Sequence, residues 1–421
     1  MRLDSVRIAI IGLGYVGLPL ATEFGKRYET IGFDTSRKRI DELRNGIDVT
    51  GEVEDLSVAS GLRFSDDLAD IASCNVYIVA VPTPIDIDHK PDLTPLISAS
   101  KTVGKVISKG DIVIYESTVY PGATEDDCLP VIEALSGLRF NEDFFAGYSP
   151  ERINPGDKAR PITKIVKVTS GSTPEVADFL DDLYRSIIPA GTFKASSIRV
   201  AEAAKIIENT QRDVNIALIN ELSMVFSRLG IDTADVIEAA ATKWNFMRLT
   251  PGLVGGHCIG VDPYYLLHKS ERSGHIPDII RLSREINDGM PREVARRLVR
   301  AMIEQNLPVK DAKVLLLGAT FKEDCPDTRN TKVIALMAAL QEWGIDTEID
   351  DPHADPKEIS EEYGVSFTKP EDGAYEAIVL TVPHKEYTAA GPQALRRYLK
   401  PDGVFFDLKA AFDKAESDLR L

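Results

Sequence analysis

The stretch GLVGGHCIGVDP, residues 252–263, sets Cys258 between a glycine pair and an aspartate, Asp262, four positions on. A cysteine kept for packing sits among branched apolar side chains. This one stands on bare backbone, as a thiol presented to a ligand would. Gly255 and Gly256 let a substrate approach closely, and His257 or a helix start would favour the thiolate. Beside a hydride-accepting cofactor a thiolate can add to an aldehyde. The thiohemiacetal then surrenders a second hydride, and water releases the thioester as a carboxylic acid.

A place for that cofactor lies near the start of the chain. IAIIGLGYVG carries Gly12, Gly14 and Gly17 in the G-x-G-x-x-G spacing, after a strand-like run and opening a helical one. The first glycine makes the tight turn, the second admits a pyrophosphate, and the third packs the helix on the strand. Asp34 ends the next strand, TIGFD, where a carboxylate accepts hydrogen bonds from the adenosine ribose and repels a 2′-phosphate. NAD is therefore expected rather than NADP. The basic run Arg37, Lys38 and Arg39 blurs this preference; a solvated helix start is its plainer reading, with Arg39 counted among the cofactor contacts. Thr83 in VPTP and Ser117 and Thr118 in ESTV follow later strands, where ligands bind in such sheets. Each could equally be a turn residue.

A third group sits on a helix. In AEAAKIIENTQRDVN, Lys205, Asn209 and Arg212 fall at i, i+4 and i+7, on one face. A solvated charged stripe is the bland reading. Lys205 and Asn209 are nevertheless embedded among Ala, Ile and Val, as in a partly buried seam, where a lysine could exchange protons with a substrate hydroxyl.

These residues need elements to hold them. Strands are expected at Arg7–Ile11, Thr30–Phe33, Val76–Val81 and Ile112–Tyr115, alternating with helices, as in a doubly wound parallel sheet. Residues 198–229 lack Pro and Gly and form one long helix. A second helical stretch, 278–305, is interrupted near Gly289 and Pro291. After Pro308 the strand–helix alternation restarts with AKVLLLGATF, and IVLTVPH mirrors IVAVPTP, which suggests an internal duplication. The fold class is therefore α/β, with two Rossmann-like doubly wound parallel-sheet domains joined by a long central helix. The boundaries are 1–197, 198–305 and 306–421.

The composition sets limits on partners. Among 421 residues the net charge of −17 argues against a general nucleic-acid or anionic-membrane surface. Basic contacts to an anionic substrate must then be local and few. No apolar run is long enough to span a bilayer. The basic and apolar start resembles a signal peptide, but its patterned glycines fit a buried strand and turn better. Four scattered cysteines, 74, 128, 258 and 325, suggest neither a zinc site nor a disulfide framework and suit a reducing cytoplasm.

Taken together, GLGYVGLPLA, VPTP, ESTVYPG, SPERINPG, AEAAKIIENTQRDVNIALINE, PGLVGGHCIGVDPYYL and TFKEDCPDTRNTK resemble the nucleotide-sugar 6-dehydrogenases, relatives of UDP-glucose dehydrogenase, along nearly the whole chain. The resemblance implies an N-terminal NAD domain, a central dimerisation helix and a C-terminal UDP-binding domain, with no metal. It makes Cys258 the nucleophile, Asp262 the residue orienting water, Lys205 the proton-transfer group with Asn209 beside the oxyanion, and Glu151 the thioester-hydrolysis glutamate. Thr118 joins this catalytic set. Tyr15 and Val16 join the glycines on the cofactor. Arg152, Ile153, Arg212, Gly255, Phe321, Lys322 and Arg329 are implied substrate contacts.

One departure narrows the branch. Val261 stands where the UDP-glucose branch has lysine, and TKWNF, residues 242–246, replaces the His-Pro-Arg run of the UDP-N-acetylmannosamine enzymes. This resembles the UDP-N-acetylglucosamine and UDP-N-acetylgalactosamine 6-dehydrogenases of surface-polysaccharide pathways. Trp244 and Asn245 are then candidate sugar contacts, with plain packing the alternative for Trp244. A UDP-ManNAc or UDP-glucose enzyme, a single-step dehydrogenase of a 3-hydroxy acid and a non-catalytic UDP-sugar/NAD-binding regulator are the competing readings.

Overall fold

The computed structural model describes residues 2–86, 88–153, 160–256 and 258–421. The chain divides into two compact units, Met1–Glu208 with Tyr264–His275, and Asn209–Pro263 with Ile276–Leu421.

The first unit is built on an eight-stranded sheet. Its strands are β1 (Arg7–Ile11), β2 (Glu29–Phe33), β3 (Leu62–Ser65), β4 (Val76–Val79), β5 (Ile112–Tyr115), β6 (Phe145–Tyr148), β7 (Lys167–Gly171) and β8 (Thr192–Lys194). The order is β3-β2-β1-β4-β5-β6-β7-β8, parallel except for the β6–β7 pair. β4 and β5 are apolar and buried at every position, as strands covered on both faces must be. β4 ends two residues earlier than expected, ahead of Pro82, which has no N–H for a ladder.

The second unit carries a five-stranded parallel sheet, β10-β9-β11-β12-β13, from β9 (Lys313–Leu317), β10 (Asp346–Asp350), β11 (Tyr375–Leu380), β12 (Leu399–Asp407) and β13 (Leu419–Arg420). The suspected duplication extends to single atoms. Gly12 (φ +93°) and Gly318 (φ +101°) each end the first strand of their sheet. A Cβ on Gly12 would lie 2.8 Å from the Ala80 carbonyl, and one on Gly318 would lie 2.8 Å from the Val382 backbone. Those two partners belong to IVAVPTP and IVLTVPH. Asp34 accepts from the Leu13 amide at 2.9 Å, as Asp351 accepts from the Ala319 amide at 2.6 Å.

The long helix spans Ile198–Leu229, as its lack of breakers predicts. The helix Asp278–Glu304 differs from expectation, running unbroken through Gly289 and Pro291. An interior proline costs about 3 kcal/mol of helix propensity. Met290, Val294 and Leu298 are buried in one core and Pro291 is itself buried, and this burial offsets that cost. No helix among the described residues is long and apolar enough to cross a membrane.

In the first unit Glu202 ties the long helix to the loop after β5, accepting from the amides of Gly122 (2.5 Å) and Thr124 (3.0 Å). Burial pushes its carboxyl up to about 7 against the pull of those amides. A folded-state value above the ordinary 4.5 gives stability that is complete below that pH and lost as pH rises through about 7. Wild type is expected to lose roughly 2–4 kcal/mol across that interval relative to Glu202→Gln. Melting both proteins at pH 5 and pH 8 checks this, and equal losses would refute it.

Candidate active site

In the first unit the glycine turn, Asp34 and the loops after β4 and β5 lie at the carboxyl ends of the parallel strands, where such sheets bind ligands. A Cβ on Gly17 would sit 1.9 Å from the Gly12 carbonyl, so this third glycine permits the helix–strand contact. Around Gly14 there is open space, which leaves room for a pyrophosphate. Tyr15 and Val16 are half-buried beside it. The Asp34 carboxylate braces the turn through Leu13 and accepts from the Ser36 amide at 2.8 Å. These features fit a dinucleotide.

Arg39 corrects the reading of its run as solvated. Lys38 is exposed, but Arg39 is turned inward, donating from Nε to the Leu13 carbonyl (3.0 Å) and from Nη2 to Asp48 (2.7 Å). Its Nη1 is buried without a partner among the described residues. Sequence gave no sign of this, because Asp48 lies in an irregular loop. Ser117 donates to the Val81 carbonyl at 2.7 Å, bracing the loop after β4, whereas Thr83 and Thr118 are half-buried.

Glu151 follows β6 and is buried. One oxygen accepts from the amides of Arg152 (2.6 Å) and Ile153 (2.7 Å), the other from Lys167 Nζ at 2.9 Å. The Arg152 guanidinium is engaged by Glu208 at 2.8 Å. Lys205 is buried on the long helix. Lys167 and Glu202 were missed. Lys167 reads as the polar residue of a strand, and its partners are 51 and 16 positions away. Glu202 had a signal, since it precedes Lys205 by one helical turn.

In the second unit Cys258 is half-buried, and all four cysteines are thiols. The Cys258 carbonyl accepts from the Asp262 amide at 2.8 Å, and Asp262, buried, takes Asn209 Nδ2 at 2.6 Å. Asn209 and Asp262 therefore meet. The glycine pair serves the fold as well as any substrate. A Cβ on Gly255 would lie 2.5 Å from the Asn330 carbonyl, while Gly256 has φ +82° and is covered by the Phe321 ring. Gly252 is held at both backbone atoms by Asn220, a residue that sequence did not single out.

Gly255, Phe321 and Lys322 line one recess with Leu253, Lys332 and Lys409. Of its lysines, Lys332 is paired with Asp288 at 2.7 Å and Lys409 with Glu323, which also lines the recess, at 3.6 Å. Arg329 does not line it and forms a two-pronged pair with Asp327 (2.9 and 2.7 Å). Arg212 and Asn245 are exposed, and Trp244 is 92% exposed, which removes the packing reading for that residue within the chain. His257 and residues 154–156 of the SPERINPG motif lie outside the described residues.

Comparison with known proteins gives these sites a context. Residues 6–188 match the NAD binding domain of the UDP-glucose/GDP-mannose dehydrogenase family, 199–289 its central domain and 315–414 its UDP binding domain. The chain is 58% identical over 422 residues to the UDP-N-acetyl-D-glucosamine 6-dehydrogenase of Pseudomonas aeruginosa, covering 100% of both. It is 52% identical to the enzyme of the same name from Salmonella typhi, covering 100% of this chain and 99% of the other. Among solved structures it resembles the UDP-D-ManNAc dehydrogenase of Pyrococcus horikoshii, with a TM-score of 0.88, 29% identity and coverage of 99% and 98%.

Proposed function

Because the chain belongs to the UDP-glucose/GDP-mannose dehydrogenase family, we propose that it oxidises C6 of UDP-N-acetyl-D-glucosamine to the carboxylate, with two NAD reduced per sugar. The observation that carries the choice of sugar is the full-length identity of 58% to a relative of that name. The Gly12–Gly17 turn and Asp34 would hold NAD, which would supply the hydride-accepting chemistry of both oxidations. Lys205 takes the proton of the C6 hydroxyl, and Asn209 donates to the oxygen as charge develops on it. The Cys258 thiolate adds to the aldehyde carbon, and loss of the second hydride leaves a thioester on the sulfur. Asp262 orients water, and Glu151 accepts its proton as the C–S bond breaks. Thr118, Ser117 and Thr83 are contacts of the cofactor side. Lys322, Phe321, Arg329, Arg152, Ile153, Arg212, Gly255, Trp244 and Asn245 belong to substrate binding. The four thiols suit a reducing compartment such as the cytoplasm.

Initial rates with UDP-linked GlcNAc, GalNAc, ManNAc and glucose, measured together with NADH yield per sugar, test the assignment. The expected result is a preference for GlcNAc or its C4 epimer and a yield of two. A yield of one would overturn the double oxidation.

The proposal includes a homodimer through the long helix. On its second-unit portion Leu218, Val225 and Leu229 are 42–64% exposed at spacings of seven and four, a single apolar face without cover in one chain. Light scattering is expected to give twice the 46.3 kDa chain mass, and Leu218→Glu to halve it. A wild-type monomer would overturn this.

A further inference from the structure

We infer that Lys167 is a positioning residue for release of the acid: its buried ammonium holds the Glu151 carboxylate in one orientation for the water that attacks the Cys258 thioester. The inference rests on the role given to Glu151 above.

Lys167 lies on β7 and is 2% exposed. Its Nζ donates to Glu151 Oε2 (2.9 Å), to the Pro150 carbonyl (3.0 Å) and to Glu116 Oε2. An ammonium has three protons, so these partners fix it completely. Glu116, 1% exposed, takes the Tyr184 hydroxyl on its other oxygen. Glu151 Oε1 takes the Arg152 and Ile153 amides. A carboxylate has about four acceptor positions. Described residues fill three on Glu151, and a fourth, on Oε2, can receive a proton from water.

The charged groups around this carboxylate come from three elements of the first unit. Among the described residues, Lys167 contacts Glu151 directly, Glu116 lies on the other side of that lysine with the Tyr184 phenol bonded to it, and the Arg152 guanidinium is turned to Glu208. Structural compensation of a buried lysine needs one carboxylate, and Glu116 already provides it. With both ionised the cluster carries an excess negative charge, and burial, with Glu151 beside it and Lys167 opposing, pushes the Glu116 carboxyl up to about 7. Lys167 aims Glu151 through the bond to Oε2, and Glu116 and the Pro150 carbonyl hold the lysine in place. In the step itself, water oxygen bonds to the thioester carbon and its proton passes to Glu151. The C–S bond then breaks with its electron pair on Sγ, and the proton leaves to solvent.

The test separates acid release from oxidation. Lys167→Met alone would leave two buried carboxylates facing each other, so Glu116→Gln/Lys167→Met is compared with Glu116→Gln, and Lys167→Arg is made beside them. Each is mixed rapidly with UDP-N-acetylglucosamine and NAD, quenched in acid and weighed intact. The expected result is that NADH-forming phases keep the Glu116→Gln rate while decay of the acyl adduct slows on the order of 10- to 100-fold. Adduct then accumulates on Cys258, and the rising limb of its pH profile moves to higher pH. Lys167→Arg recovers part of the decay rate and carries the same test if the double variant does not fold. Parallel loss of oxidation and decay, without adduct and without a pH shift, would overturn the inference. Glu151→Gln is the reference. If it accumulates adduct and the lysine variants do not, the role of Lys167 alone fails. If it hydrolyses adduct at the wild-type rate, the role of Glu151 fails and the inference with it.

Discussion

Cys258→Ala is expected to lower acid formation on the order of 10⁴-fold or more, the scale on which removing a covalent nucleophile costs an enzyme. The size of the effect follows from what the sulfur replaces. Oxidising an aldehyde to an acid needs a tetrahedral carbon that can release hydride, and without a thiol only hydrated aldehyde offers one. The variant should retain the fold around the site. Its loop is held by the Gly256 amide on the Asn330 carbonyl, by the Phe321 ring over Gly256 and by Asn220 on Gly252, and none of these contacts uses Sγ. NADH yield and a carbonyl trap such as a hydroxylamine check the prediction together. Wild type should give two NADH and no trapped aldehyde, whereas the variant should give at most one, with aldehyde captured. Two NADH per sugar at the wild-type rate from Cys258→Ala would remove covalent catalysis from the mechanism.

The parts of this site legible in the sequence are those whose physical causes are local. Gly12, Gly14 and Gly17 announce themselves because a tight turn, an approach of backbone and a helix–strand contact all occur within six residues of one another. Asp34 is legible because a strand end fixes its place relative to that turn. The long helix reads from its lack of breakers, and the fold class reads from apolar strands buried on both faces. What escaped depends on pairings across the chain. Lys167 looks like the polar half of a strand until the sheet sets it against Glu116, 51 residues earlier. Arg39 looks solvated until Asp48 and the Leu13 carbonyl capture it. Pro291 looks like a break, because helix propensity is local and the core that outweighs it is not. The glycine pair beside Cys258 was read as an opening for substrate. The structure adds a closer reason, the backbone of residue 330 and the ring of Phe321.

Asp213→Ala should cost about 3–5 kcal/mol, the range for removing one partner of a buried ion pair. Asp213 is 0% exposed and Arg284 is 2% exposed, and their atoms approach to 2.5 Å. Burial raises the Asp213 carboxyl and the Arg284 cation opposes that shift, while its Oδ2 has no partner among the described residues. Truncating the aspartate leaves a guanidinium in the interior, with Asp288 at 2.7 Å as its exposed-side anion. The same carboxylate takes Asn287 at 2.7 Å. Asn287 in turn accepts from Asn220 at 2.9 Å, the residue that holds Gly252 at the head of the cysteine loop. Loss of Asp213 therefore reaches the loop through two amides that have lost their orientation. Denaturant titration should show the midpoint falling, with Asp213→Leu/Arg284→Leu recovering much of the loss because the apolar pair leaves no buried charge behind. Thiol labelling of Cys258 should accelerate in Asp213→Ala and return toward wild type in the double variant. A single variant within about 1 kcal/mol of wild type would mean that the pair contributes no more than an exposed one, and the anchoring of the loop would then have to come from the Asn330 and Phe321 contacts alone.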